Sequence, residues 1–166
     1  MKKRGISGIV GIVIMIALVI VIGGVVWKVV NNLVSEQLEE AGSCFGMFDK
    51  VKLNNKYTCW NSSSNELLFS INVADADIDK IIVSISGEGK TKSYTLEKTE
   101  KAIDGLVSFP ERNSQVKAPG KNEGLTYISS DFTTKPDSIT IYPVVGEKQC
   151  DSADTISSID SCVLLE

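Results

Sequence analysis

The sequence predicts an α+β protein, with a long N-terminal hydrophobic α-helix followed by an antiparallel β-sandwich-like globular head. Residues 6–27 form an uninterrupted apolar run, which at about 1.5 Å per helical residue covers roughly 33 Å, the hydrocarbon thickness of a bilayer. After Cys44 the chain instead carries short segments rich in Ile, Val, Tyr and Phe, bounded by Gly, Pro, Asn and Asp. Such segments are typical of strands. No long helical pattern separates them, which favours antiparallel pairing.

The chain divides by composition into three parts. Residues 1–5 form a short tip that contains three basic residues. Residues 6–41 are predicted to form one helix, in which the apolar run continues into an amphipathic stretch and stops before Gly42. Residues 42–166 are predicted to form one extracellular β-rich domain, since a chain of this length has room for one domain beyond the helix.

Five segments of the head have the composition of strands. They are residues 67–73, 80–86, 92–96, 125–132 and 138–145. The two glycines of residues 87–89 predict a hairpin between the second and third segments. Near the C-terminus, Ile156 and Ile159 lie at helical spacing and predict a short helical turn, and residues 163–165 are predicted to form a last strand.

The N-terminal charges predict the orientation of the helix in a membrane. Lys2, Lys3 and Arg4 precede the apolar run, and the positive-inside rule keeps such residues on the cytoplasmic side. The rest of the chain is then exported. Trp27 and Lys28 follow at the expected outer boundary, where an aromatic ring and a lysine side chain suit the membrane interface.

The N-terminal residues differ from an ordinary secretory signal, whose apolar stretch is shorter and ends at a small-residue cleavage site. Here Lys-Lys-Arg-Gly is followed directly by Ile6-Ser7-Gly8-Ile9-Val10 and a long Val/Ile helix. This arrangement resembles the class III leader of archaeal type IV pilins and archaellins over roughly the first 35 residues. Bacterial type IV pilins usually carry Glu where this chain has Val10, so the archaeal branch fits better.

The resemblance implies a structural role. A prepilin peptidase would cut between Gly5 and Ile6, and the mature chain would polymerise with copies of itself into an extracellular filament, as in pili and archaella. Assembly would also need a cytoplasmic ATPase and a membrane platform protein, and the precursor would reside in the cell membrane. The helix residues expected in the filament core are Ile9, Val13, Ile16, Ile20 and Trp27.

The same residues also permit a second interpretation. An uncleaved single-span anchor would carry an extracellular β-sandwich binding module, such as an accessory protein of a filament machine or a surface receptor. Many plain anchors begin with Lys and Arg, so the basic tip alone does not separate the two hypotheses. The residue at the N-terminus of the native chain does separate them.

Four cysteines in the exported part predict disulfides, because thiols do not stay reduced in an oxidising compartment. Four cysteines allow three pairings, and the sequence leaves the choice open. Closeness in sequence favours Cys44 with Cys59 and Cys150 with Cys162. Neither pair has the C-x-x-C spacing of a metal site, and the chain contains no histidine, so no metal or other cofactor is expected.

Composition also argues against nucleic acid and against catalysis. The formal charge is −4, and loss of the three basic residues of the tip would take it to −7, whereas binding to phosphates needs a basic patch. Without histidine there is no Ser-His-Asp or Cys-His arrangement. Asp75, Asp77 and Asp79 alternate like calcium ligands, but Lys80 stands where the loop needs Gly, which favours an acidic turn. No catalytic residue is predicted.

Two exposed segments are expected to interact with their surroundings. Asn61-Ser62-Ser63 is an N-glycosylation sequon, so Asn61 is a candidate for a sugar on the outer surface. Residues 110–124 carry Arg112, Lys117 and Lys121 among Asn, Pro and Gly. This segment is predicted to be a mobile, locally basic loop, either solvated or facing the negative surface of a neighbouring subunit.

Overall fold

The computed structural model describes residues 6–44 and 47–162 of the chain, and the side chains of the helix at residues 10–34 and 44. The chain divides into two compact units, with the boundary between Ser43 and Cys44. The first unit is helical and the second is built of β-strands. The α+β class is therefore confirmed, with an N-terminal apolar helix followed by antiparallel and mixed sheets.

One continuous helix, α1, runs from Ile6 to Cys44. It passes through Gly42, so the predicted end at residue 41 is three residues too early. Glycine lowers helix stability but does not by itself stop a helix. Its 39 residues extend over about 58 Å at the standard rise per residue.

The described part of the second unit contains thirteen strands, all short and none longer than 8 residues. They are β1 Val51–Leu53, β2 Cys59–Asn61, β3 Glu66–Val73, β4 Lys80–Gly87, β5 Lys90–Glu97, β6 Lys101–Ala102, β7 Leu106–Phe109, β8 Gln115–Val116, β9 Glu123–Ser129, β10 Ser138–Val145, β11 Lys148–Gln149, β12 Asp154–Ile156 and β13 Asp160–Ser161. A short 3₁₀ helix, Asn55–Tyr57, lies between β1 and β2.

The five predicted strands correspond to β3, β4, β5, β9 and β10, and are confirmed to within three residues at each end. The predicted helical turn near the C-terminus is wrong, because β12 and β13 occupy that stretch. Ile156 and Ile159 are nevertheless buried, at 9% and 2% exposed, so burial in the core accounts for their spacing. The proposed last strand at residues 163–165 lies outside the described residues.

The described strands of the second unit form two main sheets and one small sheet. The first sheet has the order β13-β2-β3-β9-β7, with β1 also paired to β3. The second has the order β11-β10-β4-β5, with β12 also paired to β10, and β6 pairs separately with β8. All pairs are antiparallel except β13 with β2, which is parallel.

The predicted hairpin is confirmed between β4 and β5. Gly87 pairs with Lys90 across a two-residue turn, in which Glu88 and Gly89 have φ of 56° and 71°. Two positive φ angles define the type I′ turn that suits the twist of a hairpin. Glycine adopts this conformation without strain, and Glu88 is held in it by the hydrogen bonds described below.

Both main sheets contribute to one hydrophobic core. Alternate residues of β4 and β10 are buried, as the period of two along a strand requires. They pack in one cluster with residues of β3 and β9, among which Phe69 and Tyr127 stack with ring centroids 5.3 Å apart. Every buried side-chain polar atom in the described part of the chain has a hydrogen-bond partner.

A polar contact connects the two sheets at the edge of this core. The Tyr94 hydroxyl, on β5, donates to Asp131 at 2.5 Å and lies 2.7 Å from the Ser129 hydroxyl, at the end of β9. Burial raises the pKa of Tyr94 well above its ordinary value, and the Asp131 carboxylate adds to this effect. Tyr94 therefore stays a neutral donor that joins the sheets.

Candidate functional site: the apolar helix and the surface of the head

The most distinctive surface of the chain is the apolar stretch Val10–Val34 of α1. It is long and apolar enough to cross a membrane, and every side chain in it is exposed in the isolated chain. Its single charged residue is Lys28, and Asn31 and Asn32 follow near its outer end. Since a soluble protein rarely exposes so large an apolar patch, this surface is suited to lipid or to other helices.

The residues predicted for a filament core all lie on α1. At 100° per residue they fall on one face of the helix, within about 60° of arc. Four of them have described side chains and are more than half exposed: Val13 59%, Ile16 56%, Ile20 69% and Trp27 69%. Of the predicted cleavage site, Ile6 begins the described helix, while Gly5 lies outside the described residues.

The disulfide pairing favoured by closeness in sequence is wrong. Cys44 is bonded to Cys150 and Cys59 to Cys162, and each bridge closes more than 100 residues of chain, with separations of 106 and 103. No described cysteine is free. Both bridges lie within the second unit, of which Cys44 is the first residue.

Strand pairing explains why distant cysteines meet. β13 runs parallel to β2 with Asp160 opposite Cys59, and the amide of Cys162 donates to the carbonyl of Trp60 at 2.9 Å. Cys162 is thereby placed beside Cys59, with their Cα atoms 4.8 Å apart. This parallel pair connects an early segment of the head with a late one, Cys59–Asn61 with Asp160–Ser161. No local signal in the sequence indicates it. Two disulfides in one small unit are typical of an extracellular location.

The sequon lies in the turn that connects β2 to β3. Asn61 is the last residue of β2, and its side-chain oxygen accepts a hydrogen bond from the amide of Ser63 at 3.0 Å. The next four residues are exposed. A sugar on Asn61 would therefore extend from a tight, accessible turn.

Residues 110–124 were predicted to form a mobile, locally basic loop, and all three of its basic side chains form ion pairs in the structure. Arg112 forms a two-point contact with Glu66 at 2.7 and 2.8 Å. Lys117 lies 3.3 Å from Glu123, and Lys121 lies 2.5 Å from Asp75. The segment also includes β8 and the buried Ala118. Its positive charges are balanced within the same chain, which leaves no net basic patch for a neighbour.

The three alternating aspartates are likewise used for ion pairs. Lys98 contacts Asp77 at 2.9 Å and Asp79 at 3.0 Å, and Asp79 also accepts the amide of Gly146. Asp75 pairs with Lys121. Within the described residues no group of three His, Cys, Asp or Glu side chains could hold a metal ion. The three aspartates therefore form local ion pairs with Lys98 and Lys121.

One surface groove of the head has a volume of about 370 Å³ and is lined mainly by hydroxyl and amide side chains. Its lining residues are Asn55, Thr58, Thr155, Ile156, Ser157, Ser158 and Asp160. The single carboxylate among them, Asp160, has no second acid or base in this lining. The groove therefore lacks the paired groups that general acid–base catalysis needs.

Glu88, in the turn between β4 and β5, holds the neighbouring loop to the head. Its carboxylate accepts hydrogen bonds from the amides and hydroxyls of Thr133 and Thr134, at 2.6 to 3.1 Å. These bonds, led by that from the Thr133 side chain, lower the pKa of Glu88 from 4.5 to about 2. Nothing in the sequence marks Glu88, because its partners lie more than 40 residues away along the chain.

We expect Glu88→Gln to flatten the acid side of the stability profile. A carboxylate whose pKa is lowered on folding stabilises the folded state above its unfolded pKa, 4.5, and this contribution is lost as the pH falls towards about 2. Thermal unfolding followed between pH 5 and pH 2 measures the effect. The matched control is Glu111→Gln, at an exposed residue for which the described chain offers no ion pair. Equal acid dependence in both variants would contradict the prediction.

No family model matches the chain, and no curated protein and no solved structure matches it either. The class of protein is thus defined by the molecule's own features. It combines one helix capable of crossing a membrane with a β-rich unit closed by two disulfides.

Proposed function

We propose that the protein is the structural subunit of an archaeal type IV pilus-like or archaellum-like extracellular filament, and that it polymerises through α1. The observation that carries the proposal is the exposed apolar surface of Val10–Val34, on a helix that continues without a break to Cys44. The class III leader resemblance of the first residues supports the same role. The protein has no catalytic task in this proposal.

The length of α1 supports a filament subunit over a simple anchor. About 20 apolar residues suffice to cross a bilayer of roughly 30 Å, whereas α1 extends for about 58 Å. In the precursor, Val10–Val34 lies in lipid with its N-terminus in the cytoplasm. In the filament, the same surface is buried against the helices of other copies, and van der Waals packing replaces contact with lipid.

The proposal includes a β-sandwich head directed outwards. The two main sheets share one core, and Tyr94 of the second sheet contacts Ser129 of the first, as expected if the sheets pack face to face. The two disulfides would keep such a head folded outside the cell. Asn61, in its exposed turn, would carry a sugar on the outer surface of the filament.

Processing and assembly follow from the leader resemblance. A prepilin peptidase removes residues 1–5 by cutting between Gly5 and Ile6, and a cytoplasmic ATPase and a membrane platform protein drive polymerisation. The partners in the filament are other copies of this chain, with no role for nucleic acid, metal or cofactor.

The experiment is the N-terminal residue and intact mass of the native protein in sheared cell-surface material. Chains that begin at Ile6 in that fraction support the proposal. Chains that retain the basic tip and remain in the membrane overturn it in favour of the uncleaved anchored module.

We expect Gly5→Leu to abolish cleavage and to keep the chain in the membrane, because a bulky side chain would then precede the bond to be cut. Co-expression with a prepilin peptidase and mass spectrometry measure the loss. The matched control is Gly11→Leu, at a position where an added side chain meets no atom within 4 Å, and this variant should still be cut. Cleavage of Gly5→Leu at the wild-type rate would contradict the prediction.

A further inference from the structure

The free edge of β5 is the starting point of the inference. In the second sheet β5 is the last strand after β4, and the Gly87–Lys90 pair closes a two-residue hairpin. The closing pair of such a hairpin is hydrogen-bonded, and the bonded pairs then alternate along the ladder. The amides and carbonyls of Thr91, Ser93 and Thr95 therefore point away from β4. We call these three residues the free edge.

Backbone contacts support this assignment. The amide of Ala118 donates to the carbonyl of Glu97 at 2.7 Å, which shows that Glu97 also points away from β4 and that its end of the strand is covered. No backbone or side-chain group in the described part of the chain bonds to the amides or carbonyls of the free edge. The side chains of all three residues are exposed.

The last strand of the first sheet is different. On β7 the amide of Leu106 donates to Ile103, while Ser108 donates to Asn113 and accepts from Arg112. The outward backbone groups of β7 are thus bonded by the adjacent chain. Natural proteins usually close or guard their edges in this way. The free edge of β5, at Thr91, Ser93 and Thr95, lacks such closure.

Lysines often guard an edge by repulsion, but those of β5 are neutralised. Lys90 lies 3.2 Å from Glu88, and Lys92 lies 3.1 Å from Asp131. Positive and negative groups balance along the strand, so a second strand of the same composition would meet no net repulsion. The charges of the strand therefore do not oppose its pairing with a second copy.

We propose that the free edge binds the free edge of a second copy, so that the second sheets of two heads join antiparallel about a two-fold axis at Ser93. Only outward-facing residues can form hydrogen-bonded pairs across this junction. The register that pairs Thr91 with the partner's Thr95, and Ser93 with the partner's Ser93, uses all the free backbone groups. It also stacks hydroxyl side chains in cross-strand pairs, which stabilise antiparallel strands.

The interface is a property of the head and does not rest on the filament proposal. It would join heads of neighbouring subunits in a filament, or two anchored modules in a membrane. If two copies do not join at the free edge, the N-terminal processing test keeps its meaning. If the leader is not cleaved, the proposal for the free edge still stands.

We expect Ser93→Pro in the full-length protein to weaken self-association by about tenfold or more, because two backbone hydrogen bonds across the axis are lost. The amide of Ser93 points outwards, so proline removes no bond to β4 and is tolerated on an edge strand. The matched control is Ser93→Thr, which keeps the amide. Dimer fractions in nanodiscs across a range of protein-to-lipid ratios measure the effect. Equal association of the two variants overturns the proposal.

Cross-linking between single cysteines tests the register and does not depend on how well the proline variant folds. In the proposed pair the Cα atoms of the two Ser93 residues lie about 5.5 Å apart, within disulfide range. The Cα atoms of the two Thr91 residues lie about 14 Å apart, because they are offset by four residues along the strands, and this distance is beyond disulfide range. Ser93→Cys should therefore cross-link to itself several-fold more than Thr91→Cys, and Thr91→Cys should cross-link to Thr95→Cys. No preference for Ser93→Cys overturns the proposal.

Discussion

Replacing Cys59 and Cys162 together by alanine is expected to lower the free energy of unfolding of the head by about 4 kcal/mol. Because Cys44 remains bonded to Cys150, the second bridge closes a circuit of roughly 30 residues, through residues 44–59 and 150–162, and in the chain-entropy model it stabilises the folded state chiefly by restricting the unfolded chain. Urea unfolding measures the loss. Trp60, 4% exposed and next to Cys59, serves as the fluorescent reporter in a Trp27→Phe background.

The same double variant distinguishes the two pairings. With Cys44 bonded to Cys150, the variant retains one intact bridge and no free thiol. If the pairs were instead those closest in sequence, Cys44 and Cys150 would each lose its partner. The variant would then carry two free thiols. Titration of thiols in the denatured, unreduced protein gives the answer, and two reactive groups per chain would contradict the structure.

Placing an arginine in the middle of the apolar stretch should strongly weaken membrane insertion. Ile22 lies midway along Val10–Val34, and a charged side chain at the centre of a spanning helix costs about 2.5 to 3.5 kcal/mol on insertion scales. Ile22→Arg should therefore shift the insertion equilibrium roughly a hundredfold towards the uninserted state. Resistance to alkaline extraction from membranes measures the shift.

The control for this variant is Ile22→Leu, which preserves the apolar character of the position and should remain membrane-bound. Lys28 is already accepted near the outer end of the stretch, so the effect of a charge should depend on depth. Retention of Ile22→Arg equal to that of Ile22→Leu would contradict the prediction.

The sequence predicted what depends on local pattern. The apolar run of α1 is long, and β3, β4, β5 and β10 each have enough residues for apolar alternation to be visible. The hairpin was predictable because the glycines of Gly87-Glu88-Gly89 separate two segments with the composition of strands. By contrast β6, β8, β11 and β13 have two residues each, too few to show any period.

What the sequence did not predict depends on contacts between distant residues. The parallel pairing of β13 with β2 determines the Cys59–Cys162 bridge, and such pairing leaves no trace in local composition. In the sequence Arg112 has no evident partner, because Glu66, with which it pairs, lies on β3, 46 residues away. Glu88 is similar, since its role is given by Thr133 and Thr134 across the head. In each case the role of the residue is determined by a partner that lies far away along the chain.

The Cys44–Cys150 bridge also determines how the molecule would carry mechanical load. A pulling force that travels along α1 reaches the head at Cys44, the last residue of the helix. From there the covalent bridge leads straight to Cys150, so tension between the helix and the C-terminal segment bypasses the strands that lie between these two cysteines. Those strands belong to a closed loop and cannot be drawn out by such a force. While the Cys44–Cys150 bridge remains intact, the strands between the two cysteines would carry no part of that tension.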